Sequence, residues 1–168
     1  DEVMCGMGRT GSLYAIEQEN CCPDIITLAK GLGAGYQPIA ATMANEKVVS
    51  ALYAGSGLLA NGHTYMSHPV ACAGALAVQQ VIEEDNLLVN VKQQGEYLRA
   101  GLKKQFADYP FVGDIRGRGL FVGIELVENK ATKQPFDRQL NIAAKVKKAA
   151  LMNGLICYPS SGTVDGQS

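Results

Sequence analysis

Lys30 closes the apolar, β-rich run Ile25-Ile26-Thr27-Leu28-Ala29 and opens a glycine-rich turn, Gly31-Leu32-Gly33-Ala34-Gly35. A side chain at the carboxyl end of a buried strand sits where open α/β sheets bind their ligands. Asp1 opens a second short segment, Val3-Met4-Cys5, which also runs into a glycine-rich turn. Two parallel strands of one sheet would bring the amine and the carboxylate to one ligand. That pair suits pyridoxal phosphate. The lysine forms a Schiff base with the aldehyde, and the aspartate partners the pyridinium nitrogen, which keeps the ring protonated and able to absorb electrons. A lysine amine must be deprotonated to attack a carbonyl, and once displaced by substrate it is poised as a general base. Read singly, either residue has a plainer reading, because most lysines are solvated and Asp1 could be a surface acid.

The first glycine turn, Gly6-Met7-Gly8-Arg9-Thr10-Gly11, has the G-x-G-x-x-G spacing of a dinucleotide-binding loop. Such a loop needs a strand before it, a proper helix after it, and an acid about 20 residues on at the end of a second strand. Here the following stretch is short and holds Gln18, Glu19 and Asn20, while Asp24 precedes the next strand. The glycines read instead as a tight turn that allows close backbone approach.

Composition narrows the class. With 47% hydrophobic and 18% charged residues, the 168-residue chain has the balance of a globular protein, of one domain or parts of two. A net charge of -1 without like-charge runs offers nothing to nucleic acid or to an anionic membrane. No apolar run approaches the length of a membrane span. The cysteines are Cys5, Cys21, Cys22, Cys72 and Cys157. An odd number, an adjacent pair and no C-x-x-C spacing read as reduced thiols of a cytoplasmic protein, with no metal site expected and no local signature of a catalytic cysteine. The first residue is Asp, inside an apparent motif, so the chain reads as part of a longer one.

The elements that must position these groups follow from periodicity. Strands are expected at 3–5, 25–29 (buried on both faces), 39–43, 120–126 (half-buried) and 155–158. Helices are expected at 46–53, at 70–82 after a Ser67 cap and Pro69, at 87–106 through Leu87, Val91, Leu98, Leu102 and Phe106, and at 139–152 before Asn153-Gly154. The 70–82 helix is apolar on most sides, which predicts burial between layers.

Three blocks, DEVMCGMGRTG, PDIITLAKGLGAGYQPI and NGHTYMSHPVACAGALA, resemble the class III aminotransferases in family order, and the Asp1-to-Lys30 spacing is similar. The group includes the omega-amino-acid:pyruvate aminotransferases. IRGRGLFVGIEL resembles the opening strand of the family's small domain, so the likeness spans nearly the whole chain. It implies an α/β fold: part of a fold-type I pyridoxal-phosphate transferase large domain, with a mostly parallel sheet and helices, then part of an α+β small domain. Residues 1–60 would be the C-terminal part of the large domain, 61–110 interdomain helices, and 111–168 a partial small domain.

By the same resemblance, Asp1 pairs with the pyridinium nitrogen, Val3 packs on the ring, and Lys30 is the Schiff-base lysine and proton shuttle. Thr64 reaches the cofactor phosphate of the neighbouring subunit, which implies a homodimer or higher oligomer with shared active sites. The implied reaction moves an amino group from an amine or amino acid to a keto acid such as pyruvate. An aminomutase or decarboxylase of the same fold, or a non-catalytic piece unable to hold cofactor alone, are the alternatives. The chain departs from the pattern at Met4, where several members carry Gln against the ring hydroxyl, and at Ser67, where Gly is common. No Arg follows Arg138 to anchor a substrate carboxylate, and Arg116 and Arg118 read as structural or interface residues. The family's phosphate turn and ring-stacking aromatic lie upstream of Asp1, so the isolated chain is expected to be inactive.

Overall fold

The computed structural model describes residues 1–162. Its order is β1 (Ile25–Leu28), β2 (Ala41–Ala44), α1 (Glu46–Ala54), α2 (Pro69–Glu84), α3 (Leu87–Gln105), β3 (Val112–Arg118), β4 (Phe121–Leu126) and α4 (Ile142–Met152), with 3₁₀ turns at Ala15–Glu19, Lys30–Leu32 and Arg138–Leu140. The chain divides into two compact units. One holds residues 1–97 and the turn 117–121; the other holds 98–116 and 122 onward.

In the first unit, β1 and β2 pair antiparallel, with Ile25 opposite Ala44 and Leu28 opposite Ala41. The loop between them carries Lys30. Asn45 locks the open end of this pair: its backbone N–H and its side-chain amide both donate to Asp24. Its side-chain oxygen also caps α1 by accepting from the Val48 N–H. Helix α2 starts at Pro69, which suits a first helical position. Its cap is His68, whose Nδ1 accepts from the Ala71 N–H, and not Ser67, which adopts a left-handed φ of 55°. Ala71 and Ala75, one turn apart, are the buried residues of α2, and the helix lies against the Lys30–Leu32 turn. Asn86, at φ 51°, makes the break between α2 and α3.

The Gly6–Gly11 turn is the floor on which other segments dock. Gly8 and Gly11 have φ of 89° and 93°, conformations that a side chain resists. The Leu88 and Lys92 side chains of α3 press against them. Above the turn, Leu120 N–H donates to the Arg9 carbonyl, and Arg118 forms an ion pair with Glu19. Gly119 fits between Thr10 and α3, at Gly95, so closely that a Cβ on either glycine would strike backbone.

The second unit is centred on Val112 and Val127, which are 4% and 2% exposed. Val127 N–H donates to the Phe111 carbonyl at 2.9 Å. The same unit holds an aromatic run, Phe106, Tyr109, Phe111 and Phe136, with successive ring centroids 5.7 to 5.9 Å apart. Lys130 donates to the Ala107 carbonyl and Lys133 to that of Gly113. Arg116 is held on the surface between Asp114 and Glu125.

Several expectations change. Residues 3–10 are turn, not strand, because the Asp1 carboxylate captures Val3 N–H and the Glu2 carbonyl captures Gly6 N–H, diverting these groups from a ladder. The expected parallel pairing of the Asp1 segment with the Lys30 strand is not formed; β1 pairs antiparallel with β2, and β3 is the neighbour of β4 in a second two-stranded sheet. Leu28 is buried, but Ile25 is 51% exposed, so β1 is not covered on both faces. Val70, Leu76 and Val81 of α2 are likewise open to solvent, since among the described residues no second layer covers them. Residues 155–158 form no strand: no neighbouring strand pairs with them, and Ile156 and Tyr158 stand exposed.

The close approach at Gly95 gives a paired test within one helix. In the full-length protein, Gly95→Ala should lose about 1–3 kcal/mol of unfolding free energy, because its Cβ meets unyielding backbone. Gly101→Ala, which points into open space, should gain up to about 1 kcal/mol from helix propensity. Denaturant titration of both variants measures the contrast.

Candidate active site

The first site residues are organised by Glu2, which is only 5% exposed. Its backbone N–H donates to the Thr27 carbonyl of β1, and its carbonyl accepts from Gly6 N–H, both at 2.9 Å. Its carboxylate accepts from the Ala15 and Ile16 N–H groups, each at 2.9 Å, and from the Cys5 thiol at 3.2 Å. Burial pushes the Glu2 carboxyl up, but the hydrogen bonds from Ala15, Ile16 and Cys5 outweigh it, and the group is held below the usual glutamate range. Cys5 responds in the opposite sense. Burial first, and then the adjacent Glu2 carboxylate, push its thiol up. It is a protonated donor and not an activated nucleophile.

Asp1 is exposed, and its Oδ1 accepts from Val3 N–H at 2.8 Å. Val3 is half-buried. Lys30 follows β1 by one residue and adopts a left-handed φ of 45°, uncommon for a side chain of this size. Consecutive turn bonds hold it there: Leu32 N–H to Ala29, Gly33 N–H to Lys30 and Ala34 N–H to Gly31. Gly31 lets this turn approach Met7, whose Cβ would lie 2.9 Å from a Cβ at that glycine. The Lys30 amine reaches back to the Asp1–Met4 loop, with Nζ 2.8 Å from Met4 Sδ.

Asp1, Val3 and Lys30 thus belong to two loops that meet through Met4 and Gly31. Thr64 lies elsewhere, exposed in the turn that Met66 N–H closes on the His63 carbonyl. Among the described residues no hydrogen bond joins it to the Lys30 loop. Sequence reasoning missed Glu2. An acid beside Asp1 reads as a second surface charge, and its principal partners, the N–H groups of residues 15 and 16, carry no side-chain signature.

Three likenesses bear on this arrangement. A transaminase from the marine bacterium Virgibacillus superposes with a TM-score of 0.91 at 40% identity, covering 99% of this chain and 38% of that one. An amine transaminase from an uncultivated Pseudomonas species, solved with pyridoxal phosphate bound, gives 0.89 at 35% identity, covering 94% and 36%. An aminotransferase of Gibberella zeae is 53% identical over 167 residues, 99% of this chain and 33% of that protein. The fold is that of part of a fold-type I transaminase. A family model, Aminotransferase class-III, matches residues 1–164, and the chain belongs to that family. It spans about a third of the length of the curated relatives it matches.

The Glu2 carboxylate sets an acid limit on stability. Its folded pKa lies below its ordinary value of about 4.5, so its contribution is complete above that pH and is lost as pH falls through the folded pKa. Glu2→Gln in the full-length protein should cost about 1–3 kcal/mol at neutral pH and flatten the loss of stability in that acid window. Urea titrations at stepped pH measure both effects.

Proposed function

We propose that this chain supplies the cofactor-holding core of a class III aminotransferase that moves an amino group from an amine or amino acid to a keto acid such as pyruvate. The observation that carries the reading is the convergence of the Lys30 amine on the loop that begins with Asp1, with Nζ and Met4 Sδ in contact. The donor set fits pyridoxal phosphate: an amine, a carboxylate whose Oδ2 has no hydrogen bond among the described residues, and an apolar side chain beside them. When bound, the cofactor supplies an aldehyde for condensation and a ring that takes up electrons.

In this reading Lys30 would hold the cofactor through its aldehyde, and its free amine would move the proton at the substrate carbon. The left-handed backbone at Lys30 aims its side chain at the Asp1–Met4 loop instead of along β1. The Asp1 carboxylate, oriented by Val3 N–H on Oδ1, would hold the pyridinium nitrogen, and Val3 would pack on the ring. Met4, a thioether, supports Lys30 but cannot donate to the ring hydroxyl as a Gln would.

Thr64 is assigned to the phosphate of a neighbouring subunit, so the working unit is a homodimer or larger homo-oligomer. Its exposure in the 58–68 stretch, beside exposed Leu58, Leu59, Tyr65 and Met66, supports a partner there. Residues 1–60 are assigned to the large domain, 61–110 to interdomain helices, and 111–168 to the start of the small domain. A cytoplasmic location is supported by five free cysteines. Among the described residues no helix is long and apolar enough to cross a membrane.

The test uses the full-length protein. Incubation with pyridoxal phosphate should give a visible absorbance band that Lys30→Ala abolishes, and amine-dependent conversion of pyruvate to alanine should fall by at least about 10²-fold in that variant. A colourless wild-type protein, or a band and turnover that survive Lys30→Ala, would overturn the assignment.

A further inference from the structure

We infer that Glu2 is a positioning residue for the reaction: its buried carboxylate ties the Asp1–Met4 loop to the 3₁₀ turn while its backbone N–H holds that loop on β1, and together they set the geometry between Asp1 and Lys30. This rests on the reading of Asp1 and Lys30 as the cofactor-binding pair. Glu2 is bonded beyond its own loop through both its backbone and its side chain. The backbone N–H is tied to Thr27, three residues before Lys30. The side chain is tied to the 3₁₀ turn through Ala15 and Ile16, and to Cys5 further along its own loop. The bonds of Asp1 stay within the loop: it is exposed, its Oδ1 accepts from Val3 N–H and its carbonyl accepts from the Cys5 thiol.

The three donors require a carboxylate. An ionised Glu offers acceptor sites on both oxygens, whereas Gln offers one oxygen and turns an NH₂ donor toward groups that are themselves donors. Glu2→Gln therefore leaves at least one N–H or S–H facing a donor, and the loop shifts to relieve it. A displacement of this kind moves the Asp1 carboxylate away from the ring nitrogen. Because that carboxylate favours the protonated ring, the pH response of the bound chromophore reports its position. A purely structural role for Glu2 would lower stability and leave that response alone.

A second variant isolates the anchor while keeping Glu2. Ala15 is the first residue of the 3₁₀ turn, and Tyr14 before it is extended, at φ -116° and ψ 135°. That is the conformation a following proline demands, and a first helical position accepts proline. Ala15→Pro thus deletes one donor to Glu2 without opposing the local backbone.

The experiment compares wild type, Glu2→Gln and Ala15→Pro in the full-length enzyme loaded with pyridoxal phosphate. In Glu2→Gln, kcat should fall at least about tenfold, with KM for the amine donor within about twofold, as for a lost transition-state interaction. The pH midpoint of the visible band should move, and Ala15→Pro should move it in the same direction by less. Wild-type midpoints and kcat in both folded variants would overturn the inference. So would a loss of thermal stability with no change of midpoint. Should Glu2→Gln fail to fold, the midpoint and kcat of Ala15→Pro decide alone. A wild-type protein with no band dependent on Lys30 would sink the functional reading itself, and this inference with it. An unmoved midpoint beside an intact wild-type band rejects the role of Glu2 alone.

Discussion

A carboxylate removed from water must find donors or give up its charge. Glu2 keeps its charge because two backbone N–H groups and a thiol point at it, and much of the first unit follows from that demand. The 3₁₀ turn at Ala15–Glu19 has to present its opening N–H groups inward. The loop from Asp1 to Gly6 has to fold back on itself so that Glu2 also meets Gly6 and β1. Asp1 and Val3 flank this anchor by one residue on either side, so their positions are inherited from it. Lys30 inherits its own from β1, the strand to which Glu2 is bonded.

The glycines of the first turn serve the same end from below. A dinucleotide loop uses its glycines to let a pyrophosphate approach backbone. Here the close approach is by protein: Leu88 and Lys92 side chains at Gly8 and Gly11, and the Gly119 turn at Thr10. Arg118 and Leu120 complete that docking through Glu19 and the Arg9 carbonyl. Arg118 thus pairs with Glu19, and Arg116 lies between Asp114 and Glu125. The resemblance to a nucleotide motif arises because both tasks need backbone without a Cβ.

Helix limits were legible to within a few residues because their signals are local. Pro69, the Asp85-Asn86 break and the Asn153-Gly154 stop act on the few residues beside them. The cap of α2 was misplaced by one residue, since His68 is a less familiar cap than Ser67. Strands fared worse. Residues 3–5 and 155–158 have strand composition, but a strand exists only when another offers it a ladder. In the first case nearby side-chain and carbonyl acceptors claimed the N–H groups, and in the second no partner strand is present among the described residues.

By itself the sequence determined the chemistry on offer and its grouping in three blocks: an amine after an apolar strand, a carboxylate ahead of a glycine turn, and small residues where backbones approach. These are properties of residue type and order. Only the tertiary structure decided that Lys30 turns through a left-handed backbone to meet Met4, that the glycine turn receives protein instead of phosphate, and that Glu2 is interior. The reason is that burial and hydrogen-bond partnership are set by distant segments. An acid in the first loop becomes an anchor only when the N–H groups of residues 15 and 16 and the carbonyl of Thr27 are brought to it.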